Sequence, residues 1–92
     1  MSDTIHIVFG SASNAKNYAR AKAINPRFVV CATHPELIQS KMAENVKTIK
    51  TVRFPEDVWK PVTFACEKNV AETERIIKGY QRLGVTVVEE TK

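Results

Sequence analysis

An α/β fold with a four-stranded parallel sheet is what this 92-residue chain predicts, and three observations predict it. Two short apolar runs, Ile5–Phe9 (broken only by His6) and Phe28–Ala32, have the length of strands. The second run is continuous, as expected of a strand covered on both faces. Each run is followed by turn and cap residues, Gly10-Ser-Ala-Ser-Asn14 and Thr33-His-Pro-Glu36, and then by a helical pattern. Finally, a long 3.6-residue periodicity over 62–83 ends at Gly84 and leads into a last apolar segment. Strands alternating with helices make a βαβαβαβ chain.

Taken in order, the first strand covers about 4–9, and Ser13 or Asn14 is placed to cap the helix that follows. That helix, about 15–24, is rich in alanine and stops before Asn25-Pro26, since the residue before proline disfavours the helical region. Its small side chains suit a close approach to the sheet. A second strand covers 27–32. Thr33-His-Pro-Glu36 then reads as a capping box with Pro35 in the first turn, opening a short helix over 35–42 with Leu37, Ile38 and Met42 inward.

The third strand, about 46–54, carries Lys47, Thr48, Lys50, Thr51 and Arg53, a polarity that suggests an edge. Residues 55–61 read as a loop or short turn between two prolines. The long third helix, 62–83, buries Val62, Cys66, Val70, Ile77, Tyr80 and Leu83, with Thr73 filling the remaining step of the stripe. Glu74 and Lys78 have the spacing of a favourable pair. Gly79 weakens the helix interior and suits close approach to the sheet or to a second subunit. Residues 85–89 supply the last strand. With the two apolar strands innermost, right-handed crossovers favour the order 3-2-1-4. The ligand crevice of such a sheet lies where the winding reverses, at the carboxyl ends of the strands. Gly10–Asn14, Thr33–Glu36 and Pro55–Trp59 arrive there.

Length and a hydrophobic content of 43% fit one small domain spanning 1–92. No apolar run is long enough to cross a bilayer, and no secretory leader is legible, so a cytoplasmic protein without membrane contact is expected. Cys31 and Cys66 stand alone, without metal-ligand spacing, and read as small buried hydrophobes. The net charge of +4 is carried by residues 1–60, where nine Lys and Arg face five acids. A solvated surface is the ordinary meaning of that excess, and a phosphate or an acidic partner is the sharper one.

Chemistry-bearing patterns are few. Gly10-Ser-Ala-Ser-Asn-Ala-Lys-Asn17 resembles the phosphate-binding loop of nucleoside triphosphatases, with Gly10 and Lys16 in place. Ala15 replaces the second glycine and Asn17 the hydroxyl that holds magnesium, so triphosphate hydrolysis is not expected. A phosphate-bearing ligand would use Gly10, Ser11, Ser13, Asn14, Lys16, Thr33 and His34. The dinucleotide fingerprint is absent, no metal site can be built from the two histidines, and no cofactor or catalytic residue is assigned. Glu56 and Asp57 suit the start of a helix better than an acid pair. Trp59 is a partner anchor beside Phe54 if exposed, and a plug of the core if buried. Lys16 and Arg20, one helical turn apart with Lys22 and Arg27 nearby, form the one basic cluster.

Over nearly its whole length the pattern resembles small Rossmann-like proteins of actinobacterial phages. The resemblance rests on Ile5–Gly10 followed by Asn17-Tyr-Ala-Arg-Ala-Lys22. It implies a three-layer Rossmann-like domain and a role directed at a host protein, not a reaction. The first functional reading is a non-catalytic interaction protein using the strand-end loops with Trp59 and Phe54, Lys16 and Arg20, or the outer face of the long helix. The second is a phosphate- or nucleotide-binding protein using Gly10–Lys16. The third is a nucleic-acid accessory protein using Lys16, Arg20 and Arg27, although a nucleic-acid interface usually adds exposed aromatics, and only Tyr18 interleaves here. Polar edge strands leave helix packing as the route to a homodimer.

Overall fold

The computed structural model describes residues 3–43, 45–59 and 67–92. Four strands, β1 (Thr4–Phe9), β2 (Val29–Cys31), β3 (Thr48–Arg53) and β4 (Thr86–Thr91), form one sheet in which every pairing is parallel. Helices α1 (Ala12–Ala21), α2 (Pro35–Met42), α3 (Glu56–Trp59) and α4 (Glu67–Arg82) lie between them, with a 3-10 turn at Pro26–Phe28. The α/β class with an all-parallel sheet is therefore as expected. The start of the long helix expected over 62–83, with Val62 and Cys66, lies outside the described residues.

The strand order is β2-β1-β3-β4, not 3-2-1-4. Both orders obey the right-handed crossover rule, so handedness alone does not choose between them. Here β3 is central and β2 is an edge, the reverse of what polarity suggested. Lys50, Thr51 and Arg53 are tolerated in a central strand because each has a partner on a neighbouring element. Arg53 lies over the Phe9 ring at 4.2 Å, and its guanidinium binds Glu89 on β4 at 2.6 Å and Glu74 on α4 at 3.1 Å. Lys50 binds Glu90 at 2.9 Å, and the buried Thr51 hydroxyl donates to the Val88 carbonyl at 3.4 Å. The acids of β4 thus make β3 fit beside it. Between these polar positions Ile49 and Val52 are fully buried.

Side chains alternate between the two sheet faces. Ile5, Ile7, Phe9, Val30 and Ile49 pack under α2 and α4 with Ile38, Met42, Trp59 and Ile77. Val8 and Val52 pack on the other face with Tyr18 of α1. Thr73 sits wholly inside the larger cluster because its hydroxyl donates to the Ala32 carbonyl at 2.6 Å, which supplies the partner a buried polar group needs. It does fill the step in the stripe.

Several local expectations are corrected. α1 starts three residues early, at Ala12. Ser11 is its cap, and the Asn14 side chain reaches back to the Ser11 N–H to close a capping box. It also ends early, because Ala23 takes a left-handed conformation (φ 54°). β2 is only three residues long, since Asn25 caps a 3-10 turn through Phe28. The cap residue of α2 is His34, which makes no side-chain capping bond, while the Thr33 hydroxyl is engaged by Cys31 and the His34 ring instead. Leu37 and Leu83, expected inward, are 49% and 80% exposed. Glu74 turns to Arg53 rather than Lys78.

Candidate functional site

In this order the winding reverses between β1 and β3, so the crevice belongs between the loops that follow those two strands. Side chains fill it. A methyl group at Gly10 would come within 2.9 Å of Asn14 Oδ1 and 3.2 Å of the Phe54 ring, so Phe54 and Asn14 close over the glycine. Phe54 is held there by its N–H to the Phe9 carbonyl, and its own carbonyl accepts the Trp59 indole N–H at 3.1 Å. Trp59 is 3% exposed and belongs to the core. Of its two readings the plug holds, and the anchor with Phe54 is corrected. A small hollow of about 220 Å³ remains beside this closure, lined by Arg53, Phe54, Glu56, Trp59, Thr91 and Lys92 among others.

The residues assigned to a phosphate-bearing ligand are brought together only in part. Gly10, Ser11 and Asn14 meet at the start of α1, where the Ser11 and Asn14 N–H groups are already satisfied within the capping box. Thr33 and His34 connect to them through Cys31, whose thiol donates to the Gly10 carbonyl at 3.3 Å and lies 3.1 Å from the Thr33 hydroxyl. The hydroxyl is in turn 3.1 Å from His34 Nδ1. Ser13 is exposed. Lys16 points elsewhere: its side chain lines a groove on the flank of α1.

That groove, of about 510 Å³, runs between α1 and the β2 edge of the sheet. Ala15 and Ala19 form its α1 wall, Ala23, Ile24 and Pro26 its end, and Val29 of β2 its far side. The two wall alanines stand four residues apart on one helical stripe, so between the flanking cations the wall carries only methyl groups and a trough is left. Lys16 and Arg20 line it with them, no acid does, and neither cation has an ion-pair partner among the described residues. The sequence picked out both cations but missed the trough. Its signal was the alanine spacing, which was read as close packing on the sheet.

The remaining polar cluster lies on the α1 side of the sheet, on neighbouring strands. His6 and Lys50 are register partners across β1 and β3, and Glu90 on β4 bridges Lys50 and Lys92, the latter at 2.6 Å. Lys92 first and Lys50 second hold the Glu90 carboxyl down at about 2, and the bond to Glu90 raises Lys50. Burial, then the Lys50 charge, lowers the His6 imidazole, with Glu90 pulling weakly the other way. His6 packs on Tyr18, ring centroids 5.9 Å apart, as a sheet-face residue.

Among the described residues no group of three or more His, Cys, Asp or Glu is placed to hold a metal ion, and no helix is long and apolar enough to cross a membrane. No protein-family model matches the chain, and comparison with curated proteins and with solved structures finds none similar to it, so the geometry of this trough and its two cations carries the functional argument.

Proposed function

We propose that the chain is a non-catalytic binding protein whose α1 groove receives an acidic, apolar-anchored segment of a partner protein. One observation carries this reading: an apolar trough of about 510 Å³ with Lys16 and Arg20 on its wall and no acidic side chain in its lining. A trough of that kind buries apolar side chains of a ligand, while cations at its margin favour carboxylates beside them and repel basic competitors. The excess of positive charge in residues 1–60 adds a long-range attraction to the same kind of partner. A phosphate-bearing ligand at the Gly10 turn finds less support, because the crevice is closed by Phe54 and Lys16 is committed to the groove.

The test is the anisotropy of a labelled amphipathic peptide with Leu on one face and Glu flanking it. Binding is expected at low salt and weakens as salt screens the cations. Lys16→Glu with Arg20→Glu is expected to weaken binding at least about tenfold, or ~1.4 kcal/mol. Ala15→Leu, which fills the trough without changing charge, should weaken it as well. Equal affinity of the parent and both variants would refute the reading.

A further inference from the structure

α4 presents a second surface that the α1 groove does not use. Its sheet side buries Thr73 and Ile77. On the adjoining flank Ile76 and Tyr80 are only partly covered, Gly79 is exposed, and Leu83 is 80% exposed. Together with Gln39 of α2 and Arg82 they surround a hollow of about 490 Å³. Gly79 has no internal explanation. Its φ is not positive, and a methyl group placed on it would meet nothing within 4 Å, so neither the turn of the chain nor the approach of the sheet requires glycine there. A glycine in a helix interior weakens the helix. What it provides is room for a neighbour from outside the chain.

Charge indicates which neighbour. Glu72 stands near one end of the same flank and Arg82 near the other, with Arg75 between them, and none has an ion-pair partner among the described residues. A flank with opposite charges at its two ends is complementary to itself when reversed. We propose that α4 pairs with α4 of a second copy of this chain, antiparallel, about a two-fold axis passing between Ile76 and Gly79. Ile76 then enters the space left by Gly79 of the second copy, and the reverse contact follows by symmetry. The same axis brings Glu72 beside Leu83 and Arg82 of the other chain, covering the most exposed leucine and pairing these two charges. A partner of different sequence would match this pattern only by coincidence, whereas a second copy matches it by symmetry.

Sedimentation velocity across a concentration series tests the proposal. A reversible monomer–dimer equilibrium is expected. Gly79→Leu, which fills the hollow, and separately Leu83→Glu should each raise the dimer dissociation constant at least about tenfold while the far-ultraviolet circular dichroism stays that of the folded chain. Glu72→Arg alone and Arg82→Glu alone should weaken the dimer, and Glu72→Arg with Arg82→Glu should restore it. Restoration by the double exchange supports self-pairing. A monomer at every concentration, or a dimer indifferent to Gly79→Leu and Leu83→Glu, overturns it, as does a double exchange no better than its single components. None of these outcomes depends on the α1 groove.

Discussion

Ala23 shows how a single residue sets the length of an element. It holds φ 54° at the end of α1, where helices usually place glycine, because an alanine Cβ is crowded in that region. Ala23→Gly is therefore expected to stabilise the chain by about 1 kcal/mol in chemical denaturation. The opposite holds at Gly10, where an added methyl meets Asn14 and Phe54. Gly10→Ala should cost about 1–3 kcal/mol, since Phe54 is fixed by hydrogen bonds on both its N–H and its carbonyl. Thr73→Val keeps the volume but removes the bond to the Ala32 carbonyl, a loss of about 1–2 kcal/mol measured the same way. His6 sets a pH dependence. Its folded-state pKa is lowered, so the unfolded chain binds the proton more readily. The stability it supports is complete above about pH 6.5, the ordinary imidazole value, and falls as the pH drops through the folded-state value. Glu90, held at about 2, stays charged in that range, so His6→Gln should flatten the decline in denaturation midpoint between pH 7 and 5.

At the scale of elements, α4 and β3 are the instructive cases. The stripe of α4 was legible at Val70, Thr73, Ile77 and Tyr80, and failed at Leu83, because periodicity marks an apolar face without saying where the sheet beneath it ends. For Gly79 the helix propensity argument is clean: with nothing within 4 Å, Gly79→Ala should raise the stability of the dilute monomer by about 0.5–1 kcal/mol. A rise at low concentration combined with a weaker dimer at high concentration separates the helix contribution from the contact between copies. β3 was read as an edge on its lysines, arginine and threonines. Single-sequence polarity is blind to compensation from elsewhere in the chain, and here Glu74, Glu89 and Glu90 lie more than twenty residues away. β2 was read as central on its apolar run. It needs that run as an edge, because α1 packs against one of its faces and Val30 on the other belongs to the larger core cluster, so only its outer backbone is left unpaired.

For the molecule as a whole, the position of the switch point decides where a ligand can go. In the order β2-β1-β3-β4 the loop after β3 meets Gly10 across the switch point, and it arrives carrying Phe54. A nucleotide-sized site at that point is closed by an aromatic ring, and the open concavity is transferred to the flank of α1. Lys50, Glu90 and Lys92 occupy the sheet face beyond α1 as a partly exposed chain of ion pairs. Their contribution is screened by salt, so the Glu90→Gln variant should approach the parent in thermal stability as ionic strength rises.

What the sequence by itself determined is the alternation of strands and helices, the parallel sheet, the apolar central strand β1, and the cations Lys16 and Arg20. All of these follow from local periodicity and from turn chemistry within a few residues. Only the tertiary structure decided the neighbours of each strand, the burial of Trp59, the closure over Gly10 and the trough beside the alanines. Those depend on side chains distant in the chain meeting across the sheet, and right-handed connection permits more than one way for them to meet.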